Sequence, residues 1–141
     1  MKTWLRQAYL GLAWLFVAGV VIQFFLIGLG LFGDPAFRKT HALFGFTFLH
    51  LTSLLLPILA YFARLPRRTV GLSLLLFVVV TVQVALPGLA TTSPYIAALH
   101  PVNALLVFGL GLMLAQRARV YEQVPAETTL PSRAVEATEA A

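Results

Sequence analysis

Apolar residues run in four long blocks, and the polar residues collect between them. A bilayer-crossing helix needs ~20 apolar residues. The blocks predict helices over about 8–32, 41–62, 70–89 and 95–115, the second with an amphipathic lead-in from Pro35. None holds Asp, Glu, Lys or Arg in its interior. The strands of a membrane β-barrel would alternate apolar and polar positions, and these segments do not. The expected fold is an all-α, integral membrane four-helix bundle.

The residues between the blocks agree with this division. Asp34-Pro35 and Ser93-Pro94 each read as an N-cap followed by proline at the first helical position. Pro66 follows the second helix, where a stop is expected, and Pro57 inside it should free a carbonyl near Ser53. Pro87 and Pro101 should also disturb local geometry. Gly28, Gly30, Gly45, Gly109 and Gly111 are positions where helices can approach closely.

Charge sets an orientation. Lys2, Arg6, Arg64, Arg67, Arg68, Arg117 and Arg119 fall on one side of the predicted bundle, and Arg38 and Lys39 on the other. The positive-inside rule then places both termini in the cytoplasm. The charged start could mimic a signal peptide, but its apolar run is too long and no small-residue cleavage site follows. The basic residues cap apolar runs and form no nucleic-acid patch. Residues 120–141 hold most of the acids and lack apolar periodicity, which predicts a disordered cytoplasmic tail. At 60% hydrophobic and 11% charged, the chain is far from the soluble norm of about 45–50% and 25%. With no cysteine, disulfides and thiolate metal ligation are excluded. Trp4 and Tyr9 suit the inner interface and Tyr95 the outer one.

The two halves repeat. Gln23, Leu26, Gly28, Pro35, His41 and Gly45 match Gln83, Leu86, Gly88, Pro94, His100 and Ala104, with one residue of difference in the loop. Two helix pairs running in the same sense imply a pseudo-two-fold axis along the membrane normal. That axis maps His41 onto His100, each ~9 Å beyond its proline on the outer side. Two imidazoles facing each other across a bundle suit a bis-histidine heme. Gly45 and Ala104, four residues on, share the histidine faces and would leave room for the macrocycle. Arg38 and Lys39 could pair with its propionates. Zinc would want more ligands. The alternative is that both histidines are interfacial groups bonded to water or headgroups.

Three further side chains belong to this expectation. Gln23 and Gln83 are either supports for the cofactor or glue between helices. His50 lies nine residues past His41, turned by ~180° and ~13 Å lower. Hydrogen bonding to Gln23, Gln83 or Asn103 is its expected role, with ligation of a second cofactor as the alternative.

The segments Thr40-His41 to Gly45 and Leu99-His100 to Ala104 resemble the helix starts of one four-helix half of the heme A synthase family, and are similar to other four-helix membrane b-type cytochromes. As a whole the chain resembles short bacterial four-span membrane proteins of unassigned function. The resemblance spans roughly 10–117 and implies axial ligation by His41 and His100. A second four-helix half is missing, and Phe37 to Thr40 holds no acidic residue. The implied role is therefore binding of heme b for electron transfer or heme holding, without heme modification. A quinol or a redox protein would supply electrons, membrane lipids surround the bundle, and a homo-oligomer or larger complex is compatible. The competing function is a cofactor-free membrane scaffold or small accessory subunit. Without intramembrane carboxylates, a transporter or channel pathway is not indicated.

Overall fold

The computed structural model describes residues 3–123, with side chains through residue 120. Among the described residues all regular structure is helical: α1 (Thr3–Phe32), α2 (Phe37–Phe44), a π turn (Gly45–Leu49), α3 (His50–Phe62), α4 (Arg67–Ala85), a 3-10 turn (Leu86–Leu89), α5 (Pro94–Ala97) and α6 (Leu99–Gln123). They join into four legs, Thr3–Phe32, Phe37–Phe62, Arg67–Leu89 and Pro94–Val120, each long and apolar enough to cross a membrane. The expected spans hold, with longer helices at most ends. Residues 120–123, assigned from sequence to a disordered tail, continue α6 instead. The rest of that predicted tail lies outside the described residues.

Short connections force neighbouring legs to run up and down. Asp34 accepts the Ala36 N–H at 2.8 Å, so the first connection is an Asx turn and α2 starts at Phe37. Ser93 is the N-cap position of α5, with Pro94 first in the helix. The connection between the second and third legs closes with Arg64 in the left-handed region (φ 52°), which lets Leu65 N–H reach Ala60 O at 3.0 Å. The first leg packs most extensively on the second and fourth, and the third on those same two. The legs therefore form a square, with first and third on one diagonal and second and fourth on the other.

The half of the bundle away from the histidines is well packed. Phe16, Leu56, Leu76 and Leu114 are fully buried. Tyr9, assigned to an interface from sequence, is also fully buried and shares a 2.9 Å hydrogen bond with Ser73 across the diagonal. A large apolar body with one partner for its hydroxyl suits that core better than a headgroup layer. Trp4 and Tyr95 are exposed. Glycine enables one close contact here: a Cβ on Gly111 would lie 2.8 Å from the Phe16 ring. Gly109, one turn face away, has open space.

Gly111→Val should therefore lower stability by about 1–3 kcal/mol through overpacking, while Gly109→Ala should be neutral. Thermal unfolding in detergent, followed by circular dichroism, checks this pair; equal midpoints would contradict the packing described.

Candidate functional site

The half of the bundle that carries His41 and His100 is hollow. A cavity of about 590 Å³ lies between the four legs, in the size range of small-molecule and cofactor sites. Both expected histidines line it, with ring centroids 6.3 Å apart and ring planes at 70°. Gln23, Gln83, Gly45, Ala104 and Arg38 line it too.

The cavity obeys the repeat. Helices of the first and third legs align with an offset of 60 residues, so Val20, Phe24 and Ile27 pair with Val80, Val84 and Pro87. The second and fourth legs align with an offset of 59, so Ala42 pairs with Pro101. None of these pairs was expected at the site. A helical signal was available for Val20 and Ile27, which sit at −3 and +4 from Gln23 and share its face.

Each imidazole is held by the neighbouring leg in the same way. His41 Nδ1 lies 3.1 Å from Gln23 O, and His100 Nδ1 lies 2.9 Å from Gln83 O. A carbonyl oxygen only accepts, so each Nδ1 carries the proton and donates, and each Nε2 keeps its lone pair. This backbone anchoring of the far nitrogen is how metal-binding histidines are commonly oriented. The sequence explains why a carbonyl is free in the third leg. In an α-helix Gln83 O would accept from residue 87, but Pro87 has no N–H. The chain turns to a 3-10 path at Leu86–Leu89, and the histidine takes the bond.

Elsewhere the two halves differ. Asn103 Nδ2 donates to Gln83 Oε1 at 2.8 Å and to Val79 O at 3.0 Å. With its oxygen occupied, Gln83 turns its amide nitrogen to His100 Nε2 at 3.2 Å. Phe44 stands where the repeat would put a second asparagine, and stacks on Phe48. Gln23 Oε1 is consequently buried with no partner. A Cβ on Gly45 would sit 2.5 Å from Gln23 Nε2. The space at Gly45, expected to serve the macrocycle directly, thus receives the Gln23 amide first. Ala104 does border the cavity.

The two outer cations separate. Arg38 Nε donates to Gly30 O at 3.0 Å, and Gly30 permits that approach because a Cβ there would meet Arg38 Cγ at 2.8 Å. Arg38 reaches the cavity; its repeat partner is Ala97. Lys39 is exposed and does not line the cavity, which corrects its place in the expected binding set. Lys39 directly follows Arg38, and adjacent helix positions do not share a face.

His50 and Asn103 also stand apart from the cavity wall. The expected bond from His50 to Gln23, Gln83 or Asn103 is not made; His50 Nε2 pairs with Thr81 Oγ1 at 3.1 Å. The cause is the π turn at Gly45–Leu49. Its extra residue removes roughly 100° of rotation, so His50 faces the third leg rather than standing opposite His41. No signal for that turn was legible in the sequence.

The histidines should show this division directly. Nitrogen-15 NMR of histidine-labelled protein in lipid should find His41 and His100 protonated at Nδ1 and His50 at Nε2. The same tautomer at all three would contradict the hydrogen bonding described.

Among the described residues no group of three or more His, Cys, Asp or Glu side chains comes together. The arrangement therefore supplies two imidazole donors in a mostly apolar hollow, beside two amides and one guanidinium. A family model described as "Family of unknown function (DUF6220)" matches residues 23–92, to which this chain is similar over that stretch. No curated protein matches the chain significantly, and no solved structure does.

Proposed function

We propose that the chain is a multi-pass protein of the bacterial cytoplasmic membrane, termini inward, that holds one b-type heme between His41 and His100 near the outer face. Its role on this reading is electron transfer or heme holding rather than catalysis. The carrying observation is the pair of Nδ1-anchored imidazoles, both on one cavity, with ring centroids 6.3 Å apart. Two metal–nitrogen bonds of ~2 Å, plus roughly 1 Å from each nitrogen to its ring centre, would place two axial rings about 6 Å apart.

The donor set fits the group in three further ways. Two imidazoles cannot complete a tetrahedral metal shell, but suffice for a macrocycle that brings four donors of its own. The Gly45–Ala104 pair keeps that side of the hollow small-walled. Arg38 offers one guanidinium to a carboxylate at the mouth, and since its counterpart is Ala97 a single orientation is favoured. When bound, such a group supplies reversible one-electron chemistry with no open coordination position. The protein's own part is to hold both imidazoles in the Nδ1–H tautomer, keep water from the apolar hollow and fix the orientation through Arg38. Gln83 must release His100 Nε2 for this role, which costs one hydrogen bond, about 1 kcal/mol.

That same bond favours a second reading, in which the protein is a cofactor-free scaffold or accessory subunit of a larger complex. There Gln83 and Asn103 form a fixed polar network that fastens the third leg to the fourth.

The absorption spectrum of protein purified from heme-replete membranes separates the two. Low-spin b-type bands are expected, lost or converted to high spin in His41→Ala and in His100→Ala, and retained in His50→Ala. Ala104→Phe should fill the hollow and abolish heme with thermal stability intact. Colourless protein from heme-replete cells would overturn the heme reading in favour of the scaffold.

A further inference from the structure

The third histidine faces a different opening. Phe46, His50, Leu51, Leu54 and Phe77 line a groove of about 250 Å³ between the second and third legs. His50 stacks on Phe77 with centroids 5.4 Å apart and planes at 19°, and Phe46 meets the histidine edge-on at 6.1 Å.

The hydrogen bonds settle which nitrogen is free. Thr81 Oγ1 donates its one proton to Phe77 O at 2.9 Å. It can only accept from His50, so Nε2 carries the imidazole proton and Nδ1 keeps a lone pair. No hydrogen bond to Nδ1 is made by any described residue, and Nδ1 is not among the buried unpaired atoms. On the membrane placement proposed above, this acceptor opens toward hydrocarbon, where no lipid tail can donate. An unmet polar group in that medium is costly, and an ionisable residue there is a functional candidate.

The repeat gives a comparison. At the matching positions of the first leg, Thr81 and Phe77 correspond to Val21 and Val17. His50 corresponds in sequence to Gly109, beside Phe108, in the fourth. Those positions carry only apolar groups, whereas the groove has an imidazole, a hydroxyl to fix its tautomer, and two phenyl rings. Packing of the legs does not require that difference, because the matching pair packs without it.

We propose that this groove binds a lipid-soluble hydroquinone, an isoprenoid quinol by class, whose hydroxyl donates to His50 Nδ1 while its ring lies against Phe46 and Phe77. The groove opens to the surface of the legs, so the ligand arrives through lipid. The bare nitrogen requires a donor, and the two phenyl rings favour a flat partner over an aliphatic alcohol. The inference rests on the membrane placement but not on heme, since the groove and the cavity share only Phe46.

The test is equilibrium binding of a short-chain hydroquinone, decylubiquinol, to full-length protein in quinone-free lipid nanodiscs. Empty nanodiscs correct for partition. One saturable site is expected. His50→Phe keeps the ring stack and should weaken binding about five- to tenfold, the worth of one hydrogen bond. Methylating both hydroxyls of the probe should do the same to wild type and nothing further to His50→Phe. Heme absorbance on the same samples reports separately on the cavity. Unchanged affinity in folded His50→Phe, or equal affinity of the dimethyl ether, would each overturn the proposal.

Discussion

Two backbone carbonyls, Gln23 O and Gln83 O, determine which nitrogen of each facing imidazole carries a proton. The chemistry available in the hollow follows from that constraint. With Nδ1 committed to the neighbouring leg, both Nε2 lone pairs remain on one cavity, that of His100 already accepting from the Gln83 amide at 3.2 Å. The same bonds tie first leg to second and third leg to fourth at a depth where packing is loose. Structure and site thus depend on the same two contacts. Pro87 shows the connection most clearly, since one missing N–H both bends the third leg and frees the oxygen that holds His100.

The departures from symmetry are as informative as the repeat. Asn103 satisfies Gln83, while Phe44 leaves Gln23 Oε1 buried without a partner. Arg38 faces Ala97 across the repeat, and His50 corresponds to Gly109. Of these groups Arg38 lies at the cavity and His50 at the groove beside it, whereas Ser73, Thr52 and Ser53, polar groups that also lack a polar repeat counterpart, sit in the packed half.

Much of this was legible in the sequence, because membrane helices declare themselves by length and composition. The four legs, the repeat, and the meeting of His41, His100, Gly45, Ala104, Arg38 and both glutamines at one cavity follow from apolar runs and fixed spacings. What escaped was local backbone irregularity. The π turn at Gly45–Leu49 rotates His50 toward Thr81, and nothing in Gly-Phe-Thr-Phe-Leu marks it. Helix periodicity alone also could not decide that Tyr9 points inward to Ser73 or that Lys39 turns away from the hollow. The bond freed at Gln83 could have been found, since proline four residues after a polar residue leaves a carbonyl open.

Electron paramagnetic resonance of the oxidised, purified protein tests the central claim most directly, because it reads the iron's axial partners and their relative orientation. Imidazoles crossed at 70° should give a strongly anisotropic low-spin ferric signal. A high-spin signal, or a low-spin signal that survives replacement of either His41 or His100, would contradict the facing pair as the iron's ligands.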